Sequence, residues 1–311
     1  MVSGAVGPRR DRTEAPSDKP PADTLAEVRR LELGSRRLVR DLLAGEYESV
    51  FKGRGVEFVD VREYQYGDDV RTIDWRVTAR MDSAYVRRYA EERELTVVFI
   101  VDHSASDAFG SRVRTKIRLA TEVCATLVLA AVRNNDRVGV ALATDTVEQY
   151  VPPAKGRRHA LRVLREMVTF APQRPGTNLG AALAYVNRVL TRRAVVFVLS
   201  DWLTTGYEHE LDVTARRHDT IAVQLIDPRE RVLPNVGLLT VRDPENGAWR
   251  HVDTGSSAVR TAFHQRAVAF DAALLRTLQG RGVDLIRLET GRSYVAPLLR
   301  FFRGRERRRL H

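Results

Sequence analysis

The 311-residue chain has a single cysteine, Cys124, and only four lysines, Lys19, Lys52, Lys116 and Lys155. One thiol excludes an internal disulfide and any zinc site built on several cysteines. The lack of disulfides suits a reducing compartment. Long apolar runs are missing as well. The longest, "CATLVLAAV" at residues 124–132, is about half of what a helix needs to cross a bilayer. The N-terminal stretch "MVSGAVGPRRDRTEAPSDKPPADT" has no apolar core of the signal-peptide kind. These absences together predict a soluble, cytoplasmic chain. There is no Gly-x-x-x-x-Gly-Lys-Ser/Thr loop to cradle a nucleotide phosphate. There is also no Gly-x-Ser-x-Gly elbow to present a nucleophile. His159, His209, His218, His251 and His264 are scattered without metal-ligand spacing.

What is present is charge, nearly all of its basic part arginine. The net charge is +11, and it is unevenly spread. Residues 1–94 hold 18 Lys+Arg against 19 Asp+Glu, whereas residues 95–311 hold 33 against 21. The second half therefore attracts something acidic, or simply carries a soluble arginine-rich surface. No aromatic residues interleave with a basic stripe, so stacking on nucleic-acid bases is not indicated. The closing "RGRERRRLH" reads as a solvated helix end.

The hydrophobic content of 43% supports a sizeable core. Residues 1–23, rich in proline and charge, read as a disordered tail. Residues 24–94 form a second unit. It has a helix over 24–43, then a segment dense in both signs, "GRGVEFVDVREYQYGDDVRTIDWRVTAR", read as short strands and turns. From residue 95 the pattern changes. "LTVVFIVD", "RVGVALAT", "TVEQYVPP", "RAVVFVLSD", "TIAVQLID" and "VDLIRLET" are strand-like runs, most of them separated by helical periodicity. Residues 112–134, 157–170, 178–190, 208–217, 257–279 and 294–302 read as helices, and "GLLTVRD" with "AWRHVDT" as a hairpin. Cys124 falls on the apolar face of the first of these helices. Continuous apolar strands alternating with amphipathic helices predict an α/β fold over 95–311: a doubly wound, mostly parallel sheet with helices on both faces.

In such a sheet ligands bind beyond the carboxyl ends of the strands. The first strand ends in "DHSAS", presenting Asp102, Ser104 and Ser106. The loop "RPGTNLG" presents Thr177, and "VLSDW" presents Ser200 and Asp201. An acid or serine past a strand often serves only to cap the next helix. Three such loops at one sheet edge ask for more. Two carboxylates and several hydroxyls form a hard oxygen site suited to Mg2+, and less well to Mn2+ or Ca2+. A divalent ion so held keeps an open position, which a partner's carboxylate can fill. His103 invites comparison with a Ser/His/Asp array, but the residue order and the missing elbow speak against it.

"DHSAS" is similar to the Asp-x-Ser-x-Ser motif of von Willebrand factor A-like domains. "GTNLGAAL" resembles their threonine loop and "LSD" their final aspartate. The resemblance implies a metal-ion-dependent adhesion site made by Asp102, Ser104, Ser106, Thr177 and Asp201. In it the hydroxyls bind magnesium directly and the acids bind largely through water. Upstream, the charged segment resembles the signature of family fifty-eight of the domains of unknown function, which joins such a segment to a von Willebrand A-like domain. This resemblance implies a non-enzymatic adaptor acting with a MoxR-type AAA+ ATPase, or its client, in chaperone-like assembly or remodelling. The partner would supply an acidic residue. One departure is Asp107, where the family carries Met. A third acid there either tightens the cation or repels an acidic partner.

Two other functions fit the composition: a metal-dependent hydrolase such as a nuclease, and a basic nucleic-acid-binding protein. The acids and arginines between Glu57 and Arg80 admit a second catalytic or metal site. Arginines beside nearly every acid favour a network of Arg–carboxylate pairs that pins the segment to the sheet domain, with Tyr64 and Trp75 as packing anchors.

Overall fold

The computed structural model describes residues 22–39, 47, 50, 58–81, 83–89, 94–103, 114–174, 176–242 and 248–309. Ser104, Ser106 and Asp107 lie outside the described residues, as does the tail through residue 21.

A six-stranded sheet forms the centre. Its strands are β3 (Thr96–Asp102), β4 (Arg137–Ala143), β5 (Val147–Ala154), β6 (Val195–Ser200), β7 (Asp219–Ile226) and β10 (Asp284–Glu289). They lie in the order β10-β7-β6-β3-β4-β5. All neighbours are parallel except β5, which returns antiparallel along β4. The fold class read from the sequence is therefore the one observed. The β4–β5 return is tight. A Cβ on Gly139 would lie 2.8 Å from the Val151 carbonyl oxygen, so the register there requires glycine.

Alternation along β3 divides the core in two, because successive side chains point to opposite faces. Val97, Phe99 and Val101 pack with one set of helices: α1 (Ala22–Leu38), α3 (Lys116–Arg133), α4 (Arg157–Thr169) and α8 (Val295–Arg309). Val98 and Ile100 pack with α5 (Leu179–Val189), α6 (Glu208–Arg217) and α7 (Ser257–Gln279). The phenyl rings of Phe99 and Phe197 stack across adjacent strands at 5.4 Å. Cys124 is fully buried in α3, and burial pushes its thiol pKa up, which makes it an inert core residue. No helix among the described residues is long and apolar enough to cross a membrane.

Polar contacts tie α1 to this layer. The Thr126 hydroxyl donates to Ser35 at 3.2 Å, and Arg157 Nε donates to Glu32 at 2.9 Å. The last helix runs to Arg309, past the expected end at Phe302. Its basic end is held rather than free: Arg305 binds Asp219, and Arg308 reaches Asp284 at 2.8 Å. Arg114–Glu122 and Arg281–Asp212 pairs likewise absorb part of the positive excess.

The charged segment forms β1 (Phe58–Glu63) and β2 (Tyr85–Tyr89), an antiparallel pair, joined through a 3-10 turn at Val70–Thr72 and the one-turn helix α2 (Trp75–Thr78). Its acids act locally. Asp68 takes a bidentate contact from Arg62 at 2.6 and 2.7 Å, which pulls the Asp68 pKa down. Asp69 and Asp74 cap the two helical turns. Trp75, expected as a packing anchor, is instead 69% exposed. A single helical turn has one inward face, and Ile73, Val77 and Thr78 occupy it while Tyr64 is half-buried.

Beyond the sheet, β8 (Leu238–Arg242) and β9 (Trp249–Asp253) form the predicted hairpin, its tip lying outside the described residues.

Candidate functional site

The parallel register brings the expected residues to one edge. Val101 pairs with Leu199, so Asp102 and Ser200 lie level at the ends of adjacent strands. The Ser200 hydroxyl donates to Asp102 Oδ2 at 2.7 Å, both residues being buried. The same Ser200 oxygen accepts the Trp202 amide at 2.9 Å. Asp201 projects from the turn between them, and its Oδ1 accepts the Leu203 amide at 2.9 Å. Thr177 arrives from the other side. The amide of the following Asn178 donates to the Thr144 carbonyl, just past the end of β4. Asn178 then caps α5 through its side chain. Asp102 and Asp201 thus lie at the ends of the adjacent strands β3 and β6, and the Thr177 loop, between α4 and α5, is held beside the end of β4.

The turn that aims Asp201 is strained. Trp202 has φ +65°, a left-handed backbone rare for a bulky residue. Its indole is fully buried, donates to the Val223 carbonyl at 3.4 Å and meets Tyr207 edge-on at 5.3 Å. Packing of that indole holds the backbone where glycine would be easier.

Sequence reading missed a buried cation. The Lys116 side chain, at the first turn of α3, is 0% exposed. Its ammonium lies 2.7 Å from Asp201 Oδ2 and 2.7 Å from Glu230 Oε1. Glu230 belongs to a short 3-10 turn, Pro228–Glu230, closed by a capping box with Asp227 at the end of β7. Burial raises the Glu230 pKa, and Lys116 pulls it back only in part. Asp227 also accepts from the Thr290 hydroxyl at 2.8 Å, joining the end of β10 to the same edge. Two signals were readable. Lys116 is one of four lysines in an arginine-rich chain, and "IDPRE" has the Asp-x-x-Glu spacing of a capping box with proline inside.

His103 lies beneath this edge with its ring 4.7 Å from Phe170. Burial lowers its pKa to about 4. It is a packed, neutral imidazole, in keeping with the rejection of a catalytic array.

The donor set is hard oxygen with no thiolate. Asp201 already shares one carboxylate oxygen with the Lys116 ammonium. Among the described residues no group of three or more histidine, cysteine, aspartate or glutamate side chains is placed to hold a metal.

The open, mostly parallel sheet with helices on both faces makes this an α/β protein of the doubly wound class. Its membership is more specific: residues 60–272 match the family described as "Protein of unknown function DUF58", and the chain belongs to that family. It is 34% identical over 286 residues to an uncharacterized protein of Mycobacterium tuberculosis strain H37Rv, covering 91% of this chain and 90% of the relative. An uncharacterized Mycobacterium avium protein is 30% identical over 159 residues, 50% of this chain and 94% of its own length. Among solved structures, BatB from Bacteroides thetaiotaomicron aligns with a TM-score of 0.44 at 16% identity, over 68% of this chain and 99% of that one. The SpRpn10 VWA domain aligns with a TM-score of 0.36 at 11% identity, over 67% and 94%.

Proposed function

We propose that the protein is a metal-dependent protein-interaction module. Asp102, Ser104, Ser106, Thr177 and Asp201 hold Mg2+, with Mn2+ or Ca2+ as the other hard ions of suitable chemistry. An acidic residue of a protein partner then joins the site. The partner is a MoxR-type AAA+ ATPase or its client, and the role is that of an adaptor in assembly or remodelling. That partner is the one implied by the resemblance of the charged segment and the strand-end motif.

The observation that carries the reading is the Ser200 hydroxyl bridging to Asp102 at 2.7 Å, beside Asp201. It places two acids from adjacent strands at one edge, with the Thr177 loop on the other side of β3. Bound there, the ion would supply positive charge for a carboxylate. The chain's own residues do the positioning: Ser200 orients Asp102, the Trp202 turn orients Asp201, and Lys116 neutralises the inner side of Asp201.

Calorimetric titration with Mg2+ tests this. Saturable binding by the wild-type chain and its loss in Asp102→Ala are expected. No binding by wild type, or equal binding by the variant, would overturn it.

A further inference from the structure

Helix α7 runs for 23 residues, yet its fully buried side chains, Leu274 and Leu278, lie near its C-terminal end. The preceding turns stand off the sheet. Between them and the ends of β6 and β7 lies a cavity of about 420 Å3. That is the size of an ordinary ligand site, with mostly apolar walls. Leu203, Ile226, Phe263 and Phe270 line it. Phe263 and Phe270 remain only half-buried, and Leu203 is 56% exposed. Large apolar groups are thus left at the surface in a concave arrangement, and that makes them a contact face rather than scattered exposure.

Asp201 and Glu230 are among its polar lining residues. Their charge is met from within by Lys116. Arg231, also lining the cavity, is bound to Asp271. Arg266 lines it too, is exposed, and makes no ion pair among the described residues. Lys116 thus brings one positive charge to two carboxylates, and Arg266 is the charged lining side chain left without an ion pair among the described residues, exposed and open to a partner's carboxylate. The cavity shares Asp201 with the strand-end cluster, so anything seated in it is continuous with that cluster.

We propose that this cavity receives a linear acidic–apolar segment of a protein partner. An aromatic or large aliphatic side chain enters between α7 and the end of β7. A neighbouring carboxylate pairs with Arg266. The inference rests on the reading of this edge as a protein-binding face, and it names the partner's chemistry: an apolar side chain next to an acidic one. Local anchors of this kind dominate peptide recognition, because one desolvated side chain carries most of the affinity.

The test is selection of displayed twelve-residue peptides on the immobilised full chain in Mg2+ buffer, followed by affinity measurement on synthetic copies. Enrichment of Phe, Trp or Leu within two residues of Asp or Glu is expected. Ala267→Trp fills the cavity and should weaken those peptides about tenfold or more, the usual cost of a lost anchor. Arg266→Glu, at an exposed position, should weaken them similarly while leaving thermal unfolding unchanged. No enrichment, or binders indifferent to both variants, would overturn the proposal. The same peptides measured in EDTA and with Asp102→Asn separate the two readings. Sensitivity to the cavity variants alone upholds the cavity and removes the cation. Sensitivity to EDTA and Asp102→Asn alone does the reverse.

Discussion

Replacing Lys116 by Met keeps the length and most of the volume of the side chain and deletes only the ammonium. The structure sets the scale of the effect. The lysine side chain is 0% exposed, that of Asp201 3% and that of Glu230 25%, with both N–O distances 2.7 Å. Removing one member of a buried ion pair leaves uncompensated charge and typically costs about 3–5 kcal/mol. Here two carboxylates lose their common partner, so the upper part of that range applies. For a domain of this size the loss corresponds to a fall in unfolding midpoint of about 10–20 °C. The cost depends on pH with a definite sign. Burial already raises the Glu230 pKa, and removal of Lys116 raises it further. Glu230 therefore takes up a proton more readily in the variant. The deficit is largest near pH 7 and shrinks as pH falls toward the carboxylate range. Glu230→Gln added to Lys116→Met should recover part of the loss. Thermal and urea unfolding at pH 7 and pH 5 measure all of this. A Lys116→Met chain within about 1 kcal/mol of wild type at pH 7 would refute the claim that this ammonium neutralises the strand-end acids.

Three further outcomes are expected. Ser200→Ala removes the bridge between Asp102 and the Trp202 amide, takes a donor from Asp102 Oδ2 and the acceptor from that buried N–H, and should destabilise by about 1–3 kcal/mol in denaturant unfolding. Gly139→Ala drives a Cβ to 2.8 Å from the Val151 carbonyl, and a loss of about 1–3 kcal/mol with a displaced β5 is expected by urea unfolding and amide exchange. His218 is buried beside Arg217 and Arg193, and burial first, then those cations, lower its pKa from 6.5 to about 4. A depressed histidine pKa gives stability that is complete above about pH 6.5 and lost as pH falls toward 4, by at most about 3 kcal/mol. His218→Phe should flatten that part of the stability–pH curve, and an unchanged curve would contradict the assignment.

The sheet and its working edge were legible because both follow from local pattern. A run such as "TVVFIVD" has no polar face, so it belongs to a strand covered on both sides, and helices between such runs force parallel order. Parallel order then delivers Asp102 and Asp201 to the same edge. The threonine loop, between α4 and α5, meets that edge where the Asn178 amide bonds the Thr144 carbonyl past β4. The missed residues act at a distance. Lys116 opens an apolar helix, where a lysine ordinarily faces water, and only the convergence of β6 and the β7 turn buries it. The strain at Trp202 is invisible in a sequence that shows no glycine there. Trp75 misled for the opposite reason: aromatic character suggests burial, while a one-turn helix on a two-stranded ribbon has too little depth to cover it.

The central claim is that the strand-end oxygens hold a divalent cation. Anomalous diffraction from crystals grown with Mn2+ tests it most directly. The account predicts one strong anomalous peak within coordination or water-bridged reach of Asp102, Thr177 and Asp201, with the Lys116 ammonium still on Asp201. A map with no peak at this edge, at Mn2+ concentrations that saturate exposed carboxylates elsewhere, would contradict it.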